Sequence, residues 1–392
     1  MGIVGAGPAG VTTSLFLAKA GIPHIIWDKS TFPRDKTCGD GLILHVFKVL
    51  RAYDPALLDA FLQDPRFLFS YDTRFFSESG DAIVFNFDDW QGSHGHAPIA
   101  FGRRIDFDHF LVQQLVPAYA TQHLGSRITA MEPQGAPGQG WKVNYTTARG
   151  EAQQATCRVL IGADGIQSQV ARRVGASALH KTETAAFVSG YYRNVKSSPQ
   201  AYTGEIRLVR NKTTLWFYTF PLTDNVTNVS LGGPSHLVSQ HKINLREALA
   251  ELLAEHPHIA PRFMEAEAEG KMRGWGIPLG TRPRTTSGAD WLLVGDAAGL
   301  ANPFYKEGVG SSMFSGMVAA RHVAEALAQN AVNAEAFAGY GPEVYAELGH
   351  LLRMGERFRR MARYPRLFNG VTRLGGTLVG KQVKKLVRRV TY

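Results

Sequence analysis

Two kinds of hydrophobic pattern run along the first half of the chain. Apolar residues at 3–4 and 24–27 flank a segment, 11–20, whose apolar positions have helical spacing. Residues 205–209 and 214–220 instead alternate between the two faces of a strand. These patterns predict a strand–helix–strand unit at the N-terminus and a sheet of alternating strands in the middle of the chain.

A glycine-rich turn connects the first predicted strand to the first helix. Gly5, Gly7 and Gly10 have the spacing that permits a tight turn, a close approach of the backbone to a pyrophosphate, and close packing of helix on strand. The helix N-terminus adds partial positive charge, and Gly21 ends the helix. Asp28 closes the second strand, where it can accept hydrogen bonds from a ribose. This unit predicts a dinucleotide cofactor but does not distinguish FAD from NAD.

A second strand–turn–helix unit lies late in the chain. The apolar strand 291–294 is followed by a Gly-Asp pair at Asp296 and later by a long helix predicted at about 310–329. The Asp296 carboxylate can bond the ribityl hydroxyls of a flavin. The amides of Gly308 and Val309 can face the flavin O2 and N1 atoms, where negative charge builds on reduction and a helix N-terminus stabilises it.

Two weaker segments lie between these motifs. Strand 159–161 leads to Asp164-Gly165, and Arg104 precedes a helix expected at 109–115. Each alone is more often structural than functional. In this order along the chain, between the two stronger motifs, they favour FAD.

The composition is that of a folded globular protein with two or three structural units. Its two cysteines, Cys38 and Cys157, are far apart and form neither a disulfide framework nor a metal cluster, which suits a reducing compartment. The sequence has no apolar stretch of about 18 residues, and Met1 leads almost directly into the glycine motif. We therefore expect a cytoplasmic protein without a signal peptide or a membrane-spanning helix.

Positive charge is concentrated at the C-terminus. The net charge is +10, yet residues 353–392 contain 12 Arg and Lys against one acid, so the rest of the chain is close to neutral. Within this region, residues 381–390 place Val and Leu on one helical face and Lys and Arg on the other. Such a helix is typical of a membrane-surface element, and a helix docked on the protein body with its charges in water is the alternative. No recognised nucleic-acid module accompanies the charge, so nucleic acid is not an expected partner.

Three further local patterns indicate which group of FAD-dependent proteins the chain resembles. Residues 32–42 read Phe-Pro-Arg-Asp-Lys-Thr-Cys-Gly-Asp-Gly-Leu, and residues 276–280 read Gly-Ile-Pro-Leu-Gly. Residues 216–221 read Trp-Phe-Tyr-Thr-Phe-Pro and are followed, after eight residues, by Ser-Leu-Gly from Ser230. In these patterns the chain resembles the geranylgeranyl reductases, within the FAD-dependent group that also includes para-hydroxybenzoate hydroxylase and flavin-dependent halogenases. Those reductases carry Tyr-x-Trp-x-Phe-Pro and Gly-x-Gly at the second pattern, so two aromatics are exchanged here and one Gly is Ser.

The resemblance, which covers most of residues 1–330, implies an α/β fold. Its parts would be a Rossmann-like, hydroxylase-like FAD-binding domain, an inserted antiparallel-sheet substrate domain and a C-terminal helical tail. The boundaries would be 1–65, 103–180 and 281–340 for the FAD-binding domain, 66–102 and 181–280 for the substrate domain, and 341–392 for the basic helical tail.

The same resemblance implies a set of FAD contacts, in which Ile128 is placed by counting along an expected strand at 127–131. The predicted cofactor-binding residues are Gly5, Gly7, Ala9, Gly10, Asp28, Lys29, Arg34, Cys38, Gly39, Gly41, Arg104, Ile128, Asp164, Asp296, Pro303, Gly308 and Val309. Lys306 departs from the reductases, which commonly have Gly before the Glu-Gly pair. A cation at this position would stabilise reduced flavin or meet an anionic substrate group, and a solvent-pointing loop lysine is the alternative.

An aromatic face is predicted for the substrate. Trp216, Tyr218 and Phe220 occupy alternate positions of one strand and therefore share a face, with Pro221 next in the chain. Such a face suits a large apolar substrate such as a polyprenyl chain, and the alternative is that the rings form only the core of the sheet. Cys38 is the candidate for proton delivery or substrate positioning, and a buried structural thiol is its alternative.

The resemblance implies reduction of isoprenoid double bonds by reduced FAD. An FAD-dependent monooxygenase of an apolar or aromatic substrate shares all the cofactor motifs. A halogenase is less favoured, because many halogenases have a catalytic lysine after the first βαβ unit and this chain has none between Lys48 and Lys142. A non-catalytic prenyl-lipid carrier is the remaining alternative. There is no second complete dinucleotide fold, so NADPH, NADH or a ferredoxin would act as a transient electron donor.

Overall fold

The computed structural model describes residues 1–87, 95–176, 178–196, 203–364, 366, 368–370 and 372–373. The basic helix predicted at 381–390 lies outside these residues. Within the described part of the chain, no helix has the length and the apolar content needed to cross a membrane.

The strands are β1 (Gly2–Val4), β2 (His24–Asp28), β3 (Gly41–Ile43), β4 (Leu68–Ser70), β5 (Asp72–Phe76), β6 (Ala82–Asn86), β7 (Ile99–Phe101), β8 (Ala120–Leu124), β9 (Arg127–Pro133), β10 (Trp141–Thr146), β11 (Ala152–Cys157), β12 (Leu160–Gly162), β13 (Thr184–Arg193), β14 (Gly204–Asn211), β15 (Thr213–Pro221), β16 (Val226–Pro234), β17 (Glu267–Pro278) and β18 (Trp291–Leu293). The α-helices are α1 (Pro8–Lys19), α2 (His45–Tyr53), α3 (Pro55–Gln63), α4 (Arg104–Val112), α5 (Gln169–Arg173), α6 (Ser235–Gln240), α7 (Leu245–Glu255), α8 (Ala260–Phe263), α9 (Val309–Ala328), α10 (Ala334–Phe337) and α11 (Tyr340–Met361). Short 3-10 turns lie at Lys181–Glu183 and Gly295–Ala298.

A parallel sheet of order β18-β12-β1-β2-β8 supports the N-terminal motif. Its central strands are short and fully buried, as expected where helices cover a parallel sheet. Helices α1 and α9 pack tightly against each other, because Gly316 of α9 faces the Ala9 carbonyl and an added Cβ would lie 2.5 Å from that oxygen. The predicted strand–turn–helix–strand unit and the late strand–turn–helix unit are both confirmed.

A second sheet of order β17-β13-β16-β15-β14-β5-β6 is antiparallel except where β14 pairs with β5. Strand β15 sends alternate side chains to opposite faces, as the sequence pattern predicts. Trp216 and Tyr218 pack on the face toward the parallel-sheet half, and Leu215 and Phe217 pack on the face covered by α7 and α8. The inserted antiparallel sheet of the α/β fold is therefore confirmed.

One helix differs from its sequence expectation. The helix expected at 109–115 spans Arg104–Val112, so Arg104 lies in its first turn and its side chain bonds Asp108 one turn later. The described part of the C-terminal region is helical, as predicted, and its long helix α11 packs against α9. The ring centre of Phe358 in α11 lies 5.4 Å from that of Phe304.

Two small sheets complete the fold. Strands β9, β10 and β11 form an antiparallel meander, and β3, β7 and β4 form a three-stranded sheet next to the segment 32–42. Because β3 begins at Gly41, this second small sheet fixes the end of that segment in space.

Candidate active site

The glycine turn leaves one face of its backbone open. A Cβ added at Gly10 would lie 1.8 Å from the Gly5 carbonyl oxygen, and one at Gly5, whose φ is +105°, would lie 2.4 Å from the Ala163 oxygen. Both glycines are therefore required by packing within the protein. A Cβ added at Gly7 would meet one atom of the described residues within 4 Å, Nη2 of Arg34 at 3.5 Å. The middle of the turn is therefore accessible to a ligand.

Asp28 ties this turn to the end of β2. Its Oδ2 accepts a hydrogen bond from the Ala6 amide at 2.8 Å, and its Oδ1 accepts one from the Ser30 amide at 2.8 Å. The turn, Asp28 and Lys29 border a cavity of about 960 Å³, which Ile128 and Asp164 line from the far side. We call this space the cofactor cavity.

A buried ion network lies at the inner end of the cofactor cavity. Arg104 forms a two-pronged pair with Asp108, with N–O distances of 2.6 and 2.8 Å, and Arg34 approaches the same carboxylate at 3.0 Å. Burial opposes the charge of Arg104, but Asp108 outweighs it and raises the pKa of Arg104. Lys36 lies 3.7 Å from Asp296 on the same side. One acid shared by two arginines leaves positive potential facing the cavity.

The N-terminus of α9 lies beside Asp296. A Cβ added at Gly308 would be 3.3 Å from Asp296 Oδ1, so glycine keeps the carboxylate and the helix end close. Glu307 accepts a hydrogen bond from the Gly310 amide, and burial raises the pKa of Glu307. Burial thus disfavours a negative charge on Glu307 that would offset the partial positive charge of the helix end.

A buried polar network fixes the segment Cys38–Gly41. The Asn228 side-chain amide donates to Asp40 Oδ2 at 2.7 Å and to the Cys38 carbonyl at 2.9 Å, and Ser189 donates to the same carbonyl at 3.2 Å. Ser230, which stands where the reductases have Gly, donates to Asn228 and thereby orients it. Asp40 is fully buried at φ +63°, and burial raises its pKa to about 7. The segment is thus clamped to the antiparallel sheet.

The thiol of Cys38 faces a second, apolar cavity of about 260 Å³, which we call the substrate cavity. Burial raises the pKa of Cys38, and nearby Arg104 only partly opposes this, so the thiol stays protonated. A raised pKa makes Cys38 a weaker proton donor than a free cysteine, so only its place on the cavity wall supports its predicted role in proton delivery.

The walls of the substrate cavity come from several distant parts of the chain. Tyr218 and Phe220 form part of the floor, and a Cβ added at Gly41 would lie 3.2 Å from the Phe220 ring. The remaining apolar wall residues include Ile43, Leu44, Phe85, Phe87, Pro98, Ile99, Phe101, Phe187, Ile206, Ile277, Leu348, Leu351, Leu352 and Met354.

The predicted site residues divide between the two cavities. On the cofactor cavity lie Gly5, Gly7, Ala9, Asp28, Lys29, Arg34, Arg104, Ile128, Asp164 and Asp296. On the substrate cavity lie Cys38, Gly39, Gly41, Arg104, Tyr218, Phe220, Asp296, Lys306, Gly308 and Val309. Four predicted residues line neither cavity: Gly10, Pro303, Trp216 and Pro221.

The aromatic face is therefore only partly exposed to the substrate cavity. Trp216 is buried behind it, 4.5 Å from Lys306 Nζ, because the loop 302–307 covers this end of β15. Lys306 lines the cavity and stacks on that ring, so the solvent-pointing alternative is wrong. Sequence reasoning missed the network around Asn228 and the wall from α11. For α11, the spacing of Leu348, Leu351 and Leu352 was the available signal.

The two cavities adjoin, which fits an extended flavin dinucleotide. They share a border formed by Pro8, Lys36, Thr37, Arg104, Trp275, Asp296 and Ser312. A dinucleotide with its pyrophosphate at Gly7 and its ring at this border would meet the helix end at Gly308 and the Cys38 segment. The backbone amides and the paired arginines are donors that suit the pyrophosphate of FAD. The two strand-end carboxylates are acceptors that suit its polyol chain.

Comparison with known proteins agrees with this geometry. The sequence profile of the FAD binding domain family matches residues 1–340. The menaquinone reductase of Mycobacterium tuberculosis is 28% identical over 328 residues, which cover 81% of this chain and 74% of the relative. The digeranylgeranylglycerophospholipid reductase of Methanocella arvoryzae is 27% identical over 358 residues, covering 89% and 83%. These relatives confirm the resemblance to the geranylgeranyl reductases.

Solved structures give the same fold. A geranylgeranyl bacteriochlorophyll reductase-like protein from Thermoplasma acidophilum superposes with a TM-score of 0.81 at 18% identity, over 98% of both chains. A variant of a flavin-dependent brominase superposes with a TM-score of 0.78 at 20% identity, over 98% of this chain and 93% of the other. The fold alone thus accommodates more than one flavin chemistry. Taken with the matched FAD binding domain and the reductase relatives, the chain belongs to the FAD binding domain family and is an FAD-dependent oxidoreductase.

Proposed function

We propose that this enzyme reduces carbon–carbon double bonds of a polyprenyl lipid. The observation that carries the proposal is the substrate cavity, an apolar space that joins the cofactor cavity at Arg104 and Asp296. Its walls offer aliphatic and aromatic side chains to a long hydrocarbon. An apolar wall around a redox cofactor is what an isoprenoid tail requires.

Bound FAD, when reduced, supplies the hydride for such a reaction. The residues around it have three roles. The helix end at Gly308 and Val309 stabilises negative charge at the cofactor, and Arg104 adds positive potential from the buried network. Tyr218 and Phe220 hold the alkene against the cofactor border. The protonated thiol of Cys38 gives a proton to the carbon that does not receive hydride.

The cofactor contacts predicted from the sequence are part of this proposal. The pyrophosphate lies against Gly7, Ala9 and Arg34, and Asp28 bonds the ribose. Asp296 bonds the ribityl chain. Gly10 acts by letting α1 approach Gly5, and Pro303 acts by shaping the loop that carries Lys306.

The reductase relatives support the choice of substrate class. Their names specify menaquinone in one case and a digeranylgeranyl glycerophospholipid in the other, and both molecules carry isoprenoid tails. We propose NADPH, NADH or a ferredoxin as the transient electron donor. A basic helix at 381–390 would bring the enzyme to the membrane surface where such lipids reside.

The test is a turnover experiment under anaerobic conditions. Purified holoenzyme is reduced with NADPH, or with dithionite if NADPH is not the donor, and is incubated with candidate isoprenoids. Mass spectrometry then measures gains of two hydrogens in the tail. A gain with concurrent reoxidation of the flavin supports the reductase. No gain with any candidate, together with oxygen incorporation into the product in air, would establish the monooxygenase instead.

A further inference from the structure

Lys306 occupies a backbone conformation that glycine adopts freely and that a lysine rarely adopts. Its φ is +60°, and its amide donates to the Asn302 carbonyl at 3.0 Å. Asn302 fixes the rest of this loop, because its side-chain oxygen accepts from the amides of Phe304 and Tyr305 at 2.9 and 3.0 Å. The loop therefore holds the lysine in one place, with its side chain on the wall of the substrate cavity.

The Lys306 amine has neutral contacts and no counter-ion among the described residues. Its Nζ donates to the Pro303 carbonyl and lies 4.5 Å from the centre of the Trp216 ring. Among the described residues, no carboxylate lies within ion-pair distance of it. Glu356 is the acid whose charge raises the pKa of Lys306, and its carboxylate accepts hydrogen bonds from Arg359 and Arg360.

Burial lowers the pKa of Lys306 well below its ordinary range, and the charge of Arg359 lowers it further. A lysine in such a position destabilises the fold. The place of its side chain on a cavity wall, in a loop that hydrogen bonds hold in position, favours a role in ligand binding over a role in packing.

The cavity around Lys306 argues against an anionic head group. The other cations on its wall, Lys36 and Arg104, lie at the cofactor border next to Asp296 and Asp108. A phosphate or diphosphate needs several strong donors, and among the described residues this part of the cavity wall offers the Lys306 amine, while the neighbouring cation Arg359 is already paired with Glu356. A neutral oxygen acceptor needs only one donor, which the Lys306 amine supplies.

We propose that Lys306 donates a hydrogen bond to a carbonyl oxygen on the head group of a neutral prenyl lipid, of the prenylated quinone class. This inference rests on the proposed function and deepens it, because it names the head group and the residue that recognises it. Binding moves the amine from Pro303 to the head group, and the tail then lies along the apolar wall toward Cys38. Lys306 is a positioning residue for the double bond that is reduced.

The experiment compares Lys306→Met with Lys212→Met. Lys212 is a matched control, because it also has a positive φ, of +52°, but it is exposed in the β14–β15 turn and lines neither cavity. Three substrates of similar tail length are used: an unsaturated menaquinone, geranylgeranyl diphosphate and a polyprenyl hydrocarbon without a head group. Quinone rings oxidise reduced flavin directly, so turnover is counted only as hydrogens retained in the tail after the ring has been reoxidised in air.

We expect wild-type kcat/KM to be highest for the menaquinone. Lys306→Met should lower that value at least tenfold, mainly through KM, and leave the hydrocarbon and the bound FAD unaffected. Lys212→Met should change none of the three. An equal loss for all three substrates, an unchanged value for the menaquinone, or a wild-type preference for the diphosphate would each overturn the inference.

A binding measurement separates this inference from the proposed function. A menaquinone with a saturated tail is titrated into the oxidised holoenzyme, and the change in the visible flavin spectrum gives Kd. We expect a Kd at least tenfold higher for Lys306→Met than for wild type, whether or not any tail is reduced. An equal Kd contradicts the role of Lys306. If wild type binds the quinone but adds hydrogen to no tail, the proposed reductase function fails while the head-group contact stands.

Discussion

The two cavities of this enzyme are built on opposite principles. The cofactor cavity is formed by short contiguous motifs at strand ends, with backbone amides, paired ions and glycines that packing requires. The substrate cavity is formed by single side chains from strands, loops and a helix that are distant in the chain. Cofactor binding should therefore be sensitive to single substitutions at a few positions. Substrate binding should depend on the combined shape of many side chains, each of which contributes less.

Gly10→Ala should have the largest effect on cofactor affinity and should act on the cofactor side alone. The new Cβ would lie 1.8 Å from the Gly5 oxygen, so the turn must open. We expect at least a hundredfold weaker FAD affinity, about 2.7 kcal/mol, measured by the ratio of flavin to protein and by FAD titration. Gly190→Ala is the control, because this glycine, like Gly10, has no positive φ, and the nearest atom to its added Cβ among the described residues would lie at 3.6 Å. Full retention of FAD by Gly10→Ala would refute the requirement for glycine at position 10.

Asp108→Asn tests the ion network at the border between the cavities. The change leaves Arg104 buried without a charged partner, and we expect a loss of about 3–5 kcal/mol in the free energy of unfolding. Urea unfolding of the holoenzyme measures it. Glu265→Gln breaks the exposed pair with Lys196, whose side chains are 71% and 57% exposed, and should cost less than about 1 kcal/mol. Similar losses of unfolding free energy in both variants would show that the buried ion network stabilises the fold no more than an exposed ion pair does.

Phe220→Ala should affect the substrate side without releasing the cofactor. The ring lines the cavity and packs against Gly41. We expect kcat/KM for a prenyl substrate to fall roughly tenfold, about 1.4 kcal/mol, with FAD content unchanged. Phe217→Leu, on the opposite face of the same strand, should lower thermal stability and leave kcat/KM nearly constant. Loss of FAD from Phe220→Ala would show that the two sides are not separable.

Asp40→Asn should change the pH dependence of the free energy of unfolding. The folded pKa of Asp40 is about 7 against 3.8 for a free side chain, so between these values the folded state holds a proton that the unfolded state has lost. Stability contributed at this site therefore falls as pH rises from about 4 to 7, by up to about 1.4 kcal/mol per pH unit, and is level above pH 7.

Urea unfolding across this pH range, as wild type minus Asp40→Asn, should isolate that slope. Asp59→Asn, at an exposed position of α3, is the control. Parallel pH profiles of wild type and Asp40→Asn would rule out the role of burial at Asp40.

Much of the fold was predictable from local pattern. The glycine turn, Asp28, Asp296 and the strands around them follow from periodicity and turn chemistry over a few consecutive residues. The alternation in β15 also predicted correctly which side chains share a face. It did not predict that Trp216 would be covered by the loop 302–307, because that cover comes from a segment more than 80 residues away.

The sequence by itself determined the cofactor class, since backbone approach and helix-end charge are local properties of contiguous residues. Tertiary structure alone decided the substrate side. Only the packing of α11 supplies the wall at Leu348 and Leu352, and only the contact between two sheets brings Asn228 onto Asp40. The physical reason is the sequence separation of the interacting residues. A turn is specified by its own backbone. An apolar cavity, or a buried lysine such as Lys306, depends on distant segments that exclude water around it.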